Sequence, residues 1–150
     1  MTFSRAGFLN GLLAFVAAIA LTAIVGSIVQ SQLNLNTLAE LGVAISASTR
    51  WQTTLADLLG FAPTWAAIVA GGFLLAFAAA AGLSRWRPQW RLFWFVLAGA
   101  IAVLTALLAM RASLGLTAIA AARGALGVSL LVASGALGGW VFCWVRGRGG

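Results

Sequence analysis

Residues 92–110 read LFWFVLAGAIAVLTALLAM, closed at one end by Arg91 and at the other by Arg111. This stretch decides the fold class. An α-helix needs about 20 apolar residues to cross about 30 Å of hydrocarbon. A helix on a soluble core keeps a polar face, and this one has none. Working outward, comparable runs occupy 7–29, 64–83 and 124–145. Thr117 is positioned to cap a helix that starts at Ala118 and runs into the last of them. The predicted spans are therefore 7–29, 64–83, 92–110 and 118–145. The fold class read from them is an all-α integral membrane protein with four transmembrane helices. It forms one domain over residues 1–150, because four spans and one sizeable loop use the whole length.

Charge sets the expected orientation. The net charge of +7 comes entirely from arginine, with no lysine and no histidine. Four spans put both ends of the chain on one side. Placing them inside leaves Arg5, Arg85, Arg87, Arg91, Arg146 and Arg148 in the cytoplasm and only Arg50, Arg111 and Arg123 outside, so positive charge favours N-in/C-in. Trp86, Trp90, Trp94, Trp140 and Trp144 then mark the inner boundary, and Trp65 the outer end of span two. The basic inner loop with Arg85, Arg87, Arg91, Trp86 and Trp90 is a membrane-surface anchor suited to anionic headgroups and cation–π contacts. Basic residues at membrane edges need no nucleic acid to explain them. The first apolar run is too long for a signal sequence and lacks a small-x-small cleavage site, so it is read as span one. The arginine-only, alanine-rich composition points to a prokaryotic inner membrane.

The outer loop, 30–62, is too long for a hairpin and too apolar for a flexible linker. Helical spacing of Leu38, Leu41 and Ile45 predicts a short amphipathic helix over about 37–46, with Asn36 as N-cap. Trp51, Leu55, Leu58 and Leu59 predict a second over about 49–59, capped by Ser48 and stopped by Gly60. Pro63 then falls in the first turn of span two. Both short helices are expected to lie flat at the outer interface or to cover the mouth of the bundle. The polar strip Gln30, Ser31, Gln32, Asn34 and Asn36 is expected to satisfy loop backbone.

Small residues point to helix packing. Gly72, Ala76 and Ala80 lie four apart in span two, and Gly135 and Gly139 form a GxxxG in span four. Such rows let helix backbones approach closely, within a chain or between chains.

Few residues offer chemistry. The single Cys143 forms no internal disulfide or CxxC pair. Without histidine and with only two acids, Glu40 and Asp57, no metal site, cofactor site or nucleophile–base pair is expected. The one ligand-binding set is Arg111, Arg123, Arg50, Glu40 and Asp57 on the outer side. Arg123, read as more than a turn inside helix four, is its most informative member. The arginines either pair with the two acids and pin the loop, or present forked donors to a phosphate or carboxylate. The function expected is non-catalytic: an accessory or assembly subunit that binds a membrane partner, or itself, through small-residue faces. The alternative is a binder or carrier of a lipid or hydrophobic anion, and a small channel or transporter comes third. The partners implied are membrane lipids and a membrane protein or a second copy, not nucleic acid.

Overall fold

A computed structural model describes residues 5–114 and 120–147. The described residues are all helix or connection, with no strand. The helices are α1 (Arg5–Glu40), α2 (Ala47–Trp86), α3 (Arg91–Leu114) and α4 (Ala125–Gly147). Two 3-10 turns, Pro88–Trp90 and Ala120–Arg123, precede α3 and α4. All four are long and apolar enough to cross a membrane. Each packs chiefly on its two neighbours in a ring, α1–α2–α3–α4 and back to α1.

The helix lengths correct the reading of the outer loop. At 1.5 Å per residue, the 36 residues of α1 and the 40 of α2 run to about 54 and about 60 Å. The 24-residue α3 and 23-residue α4 reach only about 36 Å. No separate helices exist over 37–46 and 49–59. Residues 37–40 are the last turn of α1, 41–46 are the connection and 49–59 lie within α2, so the two long helices form a hairpin that overshoots α3 and α4.

The stop and start signals lie elsewhere than the sequence suggested. Helix α1 stops at Glu40, and Gly42 just beyond it, with φ of +86°, takes the left-handed conformation open to glycine. The Gly42 N–H donates to the Ala39 carbonyl and the Val43 N–H to the Leu38 carbonyl, closing the turn. Asn36 caps nothing, because its side-chain oxygen accepts a bond from Arg50. Ser46, not Ser48, caps α2, its hydroxyl accepting from the Thr49 N–H at 3.2 Å. Gly60 stops nothing, and Pro63 lies in the helix interior. A proline there costs a backbone bond, yet α2 continues because Ala62 and Trp65 beside it are buried in the bundle.

Helix α4 also starts later than 118. The expected cap Thr117 and positions 118 and 119 lie outside the described residues, and Ala120–Arg123 forms a 3-10 turn separated from α4 by Gly124. The turn folds onto the helix it precedes: a Cβ on Gly127 would collide with the Ala121 carbonyl. Its Ala121 N–H donates to Gln30 Oε1 at 2.8 Å, tying it to α1. Arg123 is consequently outside α4 and exposed.

Inside the bundle, small meets large. Ala14, Ala18, Thr22 and Gly26 lie four apart on α1; Trp65, Val69, Phe73 and Phe77 lie four apart on α2. All eight are buried. Gly26 is the slot for Trp65, since a Cβ there would meet the indole Nε1. Trp65 is thus fully buried and not an interfacial anchor. Of the other expected anchors, Trp86, Trp90, Trp140 and Trp144 are exposed, whereas Trp94 is half-buried against the core. Between α3 and α4 the approach is backbone to backbone. A Cβ on Gly99 would strike the Gly135 carbonyl, and one on Gly139 the Phe95 carbonyl. Lipid tails give helices no hydrophobic reason to associate, so such close van der Waals contact holds the spans together. The Gly135/Gly139 face is therefore filled by α3 of the same chain and is not free for a partner.

Candidate functional site

Two features of the surface stand out: a polar zipper with a small cleft in the α1–α2 hairpin, and an apolar groove between α2 and α3. The zipper begins with Gln32, one turn past the end of predicted span one. Its amide Nε2 donates to Thr54 Oγ1 at 3.0 Å, and its Oε1 accepts from Arg50 Nη1 at 3.2 Å. The same Nη1 donates to Asn36 Oδ1 at 3.1 Å. Thr54 completes the set by donating to the Arg50 carbonyl at 2.8 Å. One turn deeper, Ser31 Oγ lies 2.6 Å from Asp57 Oδ2 and 3.0 Å from the Ser27 carbonyl. A hydroxyl has one proton, and the shorter contact to a charged acceptor takes it.

The polar strip after span one therefore serves backbone of a connection only at Gln30, which accepts the Ala121 N–H. Gln32, Asn36 and Ser31 bond to side chains of α2, in register with a helix pair that runs antiparallel. The signal was the spacing: residues 32 and 36 are one turn apart on one helix, as are residues 50 and 54 on the other.

The expected charge set is not assembled as ion pairs. Asp57 is held by Ser31, and Arg50 by two neutral amide oxygens. Arg111, Arg123 and Glu40 are exposed, and among the described residues no salt bridge joins any of these five groups. Pairing of Arg111 and Arg123 with the two acids is thus corrected; α2 reaches Asp57 and Arg50 across to α1 before any arginine from α3 or the 3-10 turn does. Asp57→Ala should take from Ser31 its charged acceptor, leaving the Ser27 carbonyl at 3.0 Å to receive the proton, and cost about 1 kcal/mol. Reversible unfolding in detergent checks this, and Asp57→Asn should recover part of the loss.

Arg50 borders a cleft of about 370 Å³ lined by Ile28, Gln32, Ala47, Arg50, Trp51 and Thr54. The second feature, the α2/α3 groove, is larger, about 750 Å³. Gly72 and Ala76 from α2 and Ala102, Ala106 and Ala109 from α3 form its walls, and Leu75 and Ile101 stand at its rim. It contains no charged residue. Ala80, the third member of the predicted row, is buried.

At the opposite end of the bundle, Arg85, Arg87, Trp86 and Trp90 are exposed, with Arg91 half-buried. The cation–π contact there is made by Arg146 over Phe142, 5.7 Å from the ring centre. Among the described residues no three His, Cys, Asp or Glu side chains cluster as metal ligands would. Comparisons with protein-family models, with curated proteins and with solved structures found no match, so the functional reading rests on these surfaces.

Proposed function

We infer that this chain is a non-catalytic membrane assembly protein whose α2/α3 groove seats a second membrane helix, in the first instance from another copy of itself. The observation that supports this is where glycine is and is not needed. At Gly99, Gly135, Gly138 and Gly139 an added Cβ would overlap another helix of the chain. At Gly72, on the groove wall, it would meet Ala102 at an ordinary 3.4 Å. Glycine in a helix interior costs about 1 kcal/mol relative to alanine, and internal packing does not require it there. A helix arriving from outside would use the space. An isologous contact needs a knob and a hole in the same patch. Leu75, 76% exposed, lies beside the Gly72/Ala76 hollow and meets that condition.

Photobleaching step counts of the labelled protein in native membrane vesicles test the reading. The native chain should show two-step traces. Ala76→Leu, which fills the hollow, and Leu75→Ala, which removes the knob, should each weaken association about tenfold, equivalent to about 1.4 kcal/mol. Leu75→Ala, at an exposed side chain, should leave unfolding of the isolated monomer unchanged. One-step traces for the native chain, or unchanged dimers in both variants, would sink it.

A second reading, the binding of a lipid or other hydrophobic anion, is favoured by the Arg50 cleft.

A further inference from the structure

We propose that the cleft at the base of the α1–α2 hairpin is a headgroup site for an anionic phospholipid, with Arg50 as the residue that binds its phosphodiester. The inference is independent of the α2/α3 groove. A guanidinium has five N–H donors in a fixed fork. Both described bonds of the Arg50 side chain leave from Nη1, to Gln32 Oε1 and Asn36 Oδ1. Those two acceptors use both Nη1 protons and fix the plane of the group. The opposite edge, Nε and Nη2, bonds to no described protein atom. That edge presents two parallel N–H donors, the geometry that takes two oxygens of a phosphate.

The charge of Arg50 is not neutralised either. Its two partners are amides, and Asp57 is occupied by Ser31. Half-buried arginine without a carboxylate leaves a positive site that an external anion relieves. Ala47, the first residue of α2, is also on the cleft wall, so the positive end of the helix dipole adds the same sign.

The surroundings select a lipid over a free anion. Trp51 on the cleft rim is 68% exposed, an amphipathic ring of the kind that settles at headgroup level. Below the cleft floor at Ile28, α1 presents Ile24, Ala20 and Val16 at four-residue spacing, all exposed on one lipid-facing row. An acyl chain descending from a phosphate at Arg50 has that row as its track. The α1 overshoot places Gln32 and Asn36 just past the apolar span, at the depth of phosphates. On the N-in reading this is the outer leaflet.

Native mass spectrometry of the full chain in detergent tests the site. The titrants are phosphatidylglycerol, phosphatidylcholine with the same acyl chains, and inorganic phosphate. Phosphatidylglycerol should bind at one site about tenfold more tightly than phosphatidylcholine, whose phosphodiester is the same but carries a trimethylammonium that Arg50 and the positive end of α2 repel. Arg50→Gln should abolish that preference, whereas Arg123→Gln, at an exposed arginine outside the cleft, should keep it. Trp51→Glu replaces an exposed side chain and sets a carboxylate beside the guanidinium. It should abolish the preference too, and decides the matter if Arg50→Gln does not fold. Retention of the preference in the folded variants overturns the site. Displacement of the lipid by millimolar inorganic phosphate overturns its assignment to a lipid.

Discussion

Gly139→Leu is expected to break the α3–α4 contact from within and unfold the monomer, not merely to dissociate an assembly. A Cβ at 139 would overlap the carbonyl of Phe95, and Gly135, one turn earlier, stands in the same relation to Gly99. Backbone on both sides gives no flexible side chain that can swing away. Overpacking a close-fitted core costs about 1–3 kcal/mol, and a leucine between two backbones belongs at the top of that range. Gly82 is the control. Nothing lies within 4 Å of an added Cβ there, so Gly82→Leu should stay within about 0.5 kcal/mol of the native chain. Reversible unfolding in mixed micelles measures both. Equal stability of the Gly139 and Gly82 variants would show that α3 and α4 do not approach as described.

The second large effect is expected at Phe77. Its ring centre lies 4.6 Å from that of Phe73, 4.8 Å from Phe142, 5.4 Å from Phe95 and 6.2 Å from Phe15. These partners come from all four helices, so Phe77 is the point at which the ring of neighbours closes across its centre. Aromatic pairs at such separations contribute about 0.5–1.5 kcal/mol each beyond area burial. Truncation of a buried phenylalanine costs about 3–5 kcal/mol in soluble cores. In a membrane the transfer part shrinks, because the separated helices already sit in hydrocarbon, while the lost packing remains. Phe77→Ala should therefore lose about 3 kcal/mol, and Phe77→Leu clearly less. An unfolding midpoint for Phe77→Ala indistinguishable from the native one would rule out the central aromatic cluster.

Some of this arrangement is legible in the sequence. The large row at 65, 69, 73 and 77 and the small row at 14, 18, 22 and 26 both repeat every four residues, the spacing of one helix face. Matching the two rows would have placed Trp65 inside the bundle. Position alone, near the end of an apolar run, suggested an interfacial tryptophan instead. The row Gly72, Ala76, Ala80 was visible for the same periodic reason, but its division between a buried Ala80 and a groove-lining Gly72 was not.

The candidate site was legible in its members and not in its pairing. Arg50, Asp57, Gln32 and Asn36 were each conspicuous as polar groups in an apolar chain. Which of them meet depends on the register between α1 and α2, and that is set far below, where Gly26 admits Trp65. The charge set failed as ion pairs because opposite sign was used to choose partners. Reach along rigid helices chose them instead, giving Arg50 two amides and Asp57 a serine.

The sequence by itself determined the class of this protein. Four charge-free runs of about 20 residues admit few structures other than membrane-spanning helices, because hydrocarbon offers no partner for an open backbone. Composition also determined how the helices would approach, since glycine and alanine rows permit close contact wherever they fall. Only the tertiary structure decided how far the helices run. Asn36, Gly60 and Pro63 are stop-and-start signals in an isolated segment. Here Asn36 is taken by Arg50, and the walls that bury Ala62 and Trp65 carry α2 through Gly60 and Pro63. Local propensity is worth about 1 kcal/mol per glycine and about 3 per proline. The packing of one long helix against another outweighs both, and it turned an expected surface loop into the hairpin that holds Arg50.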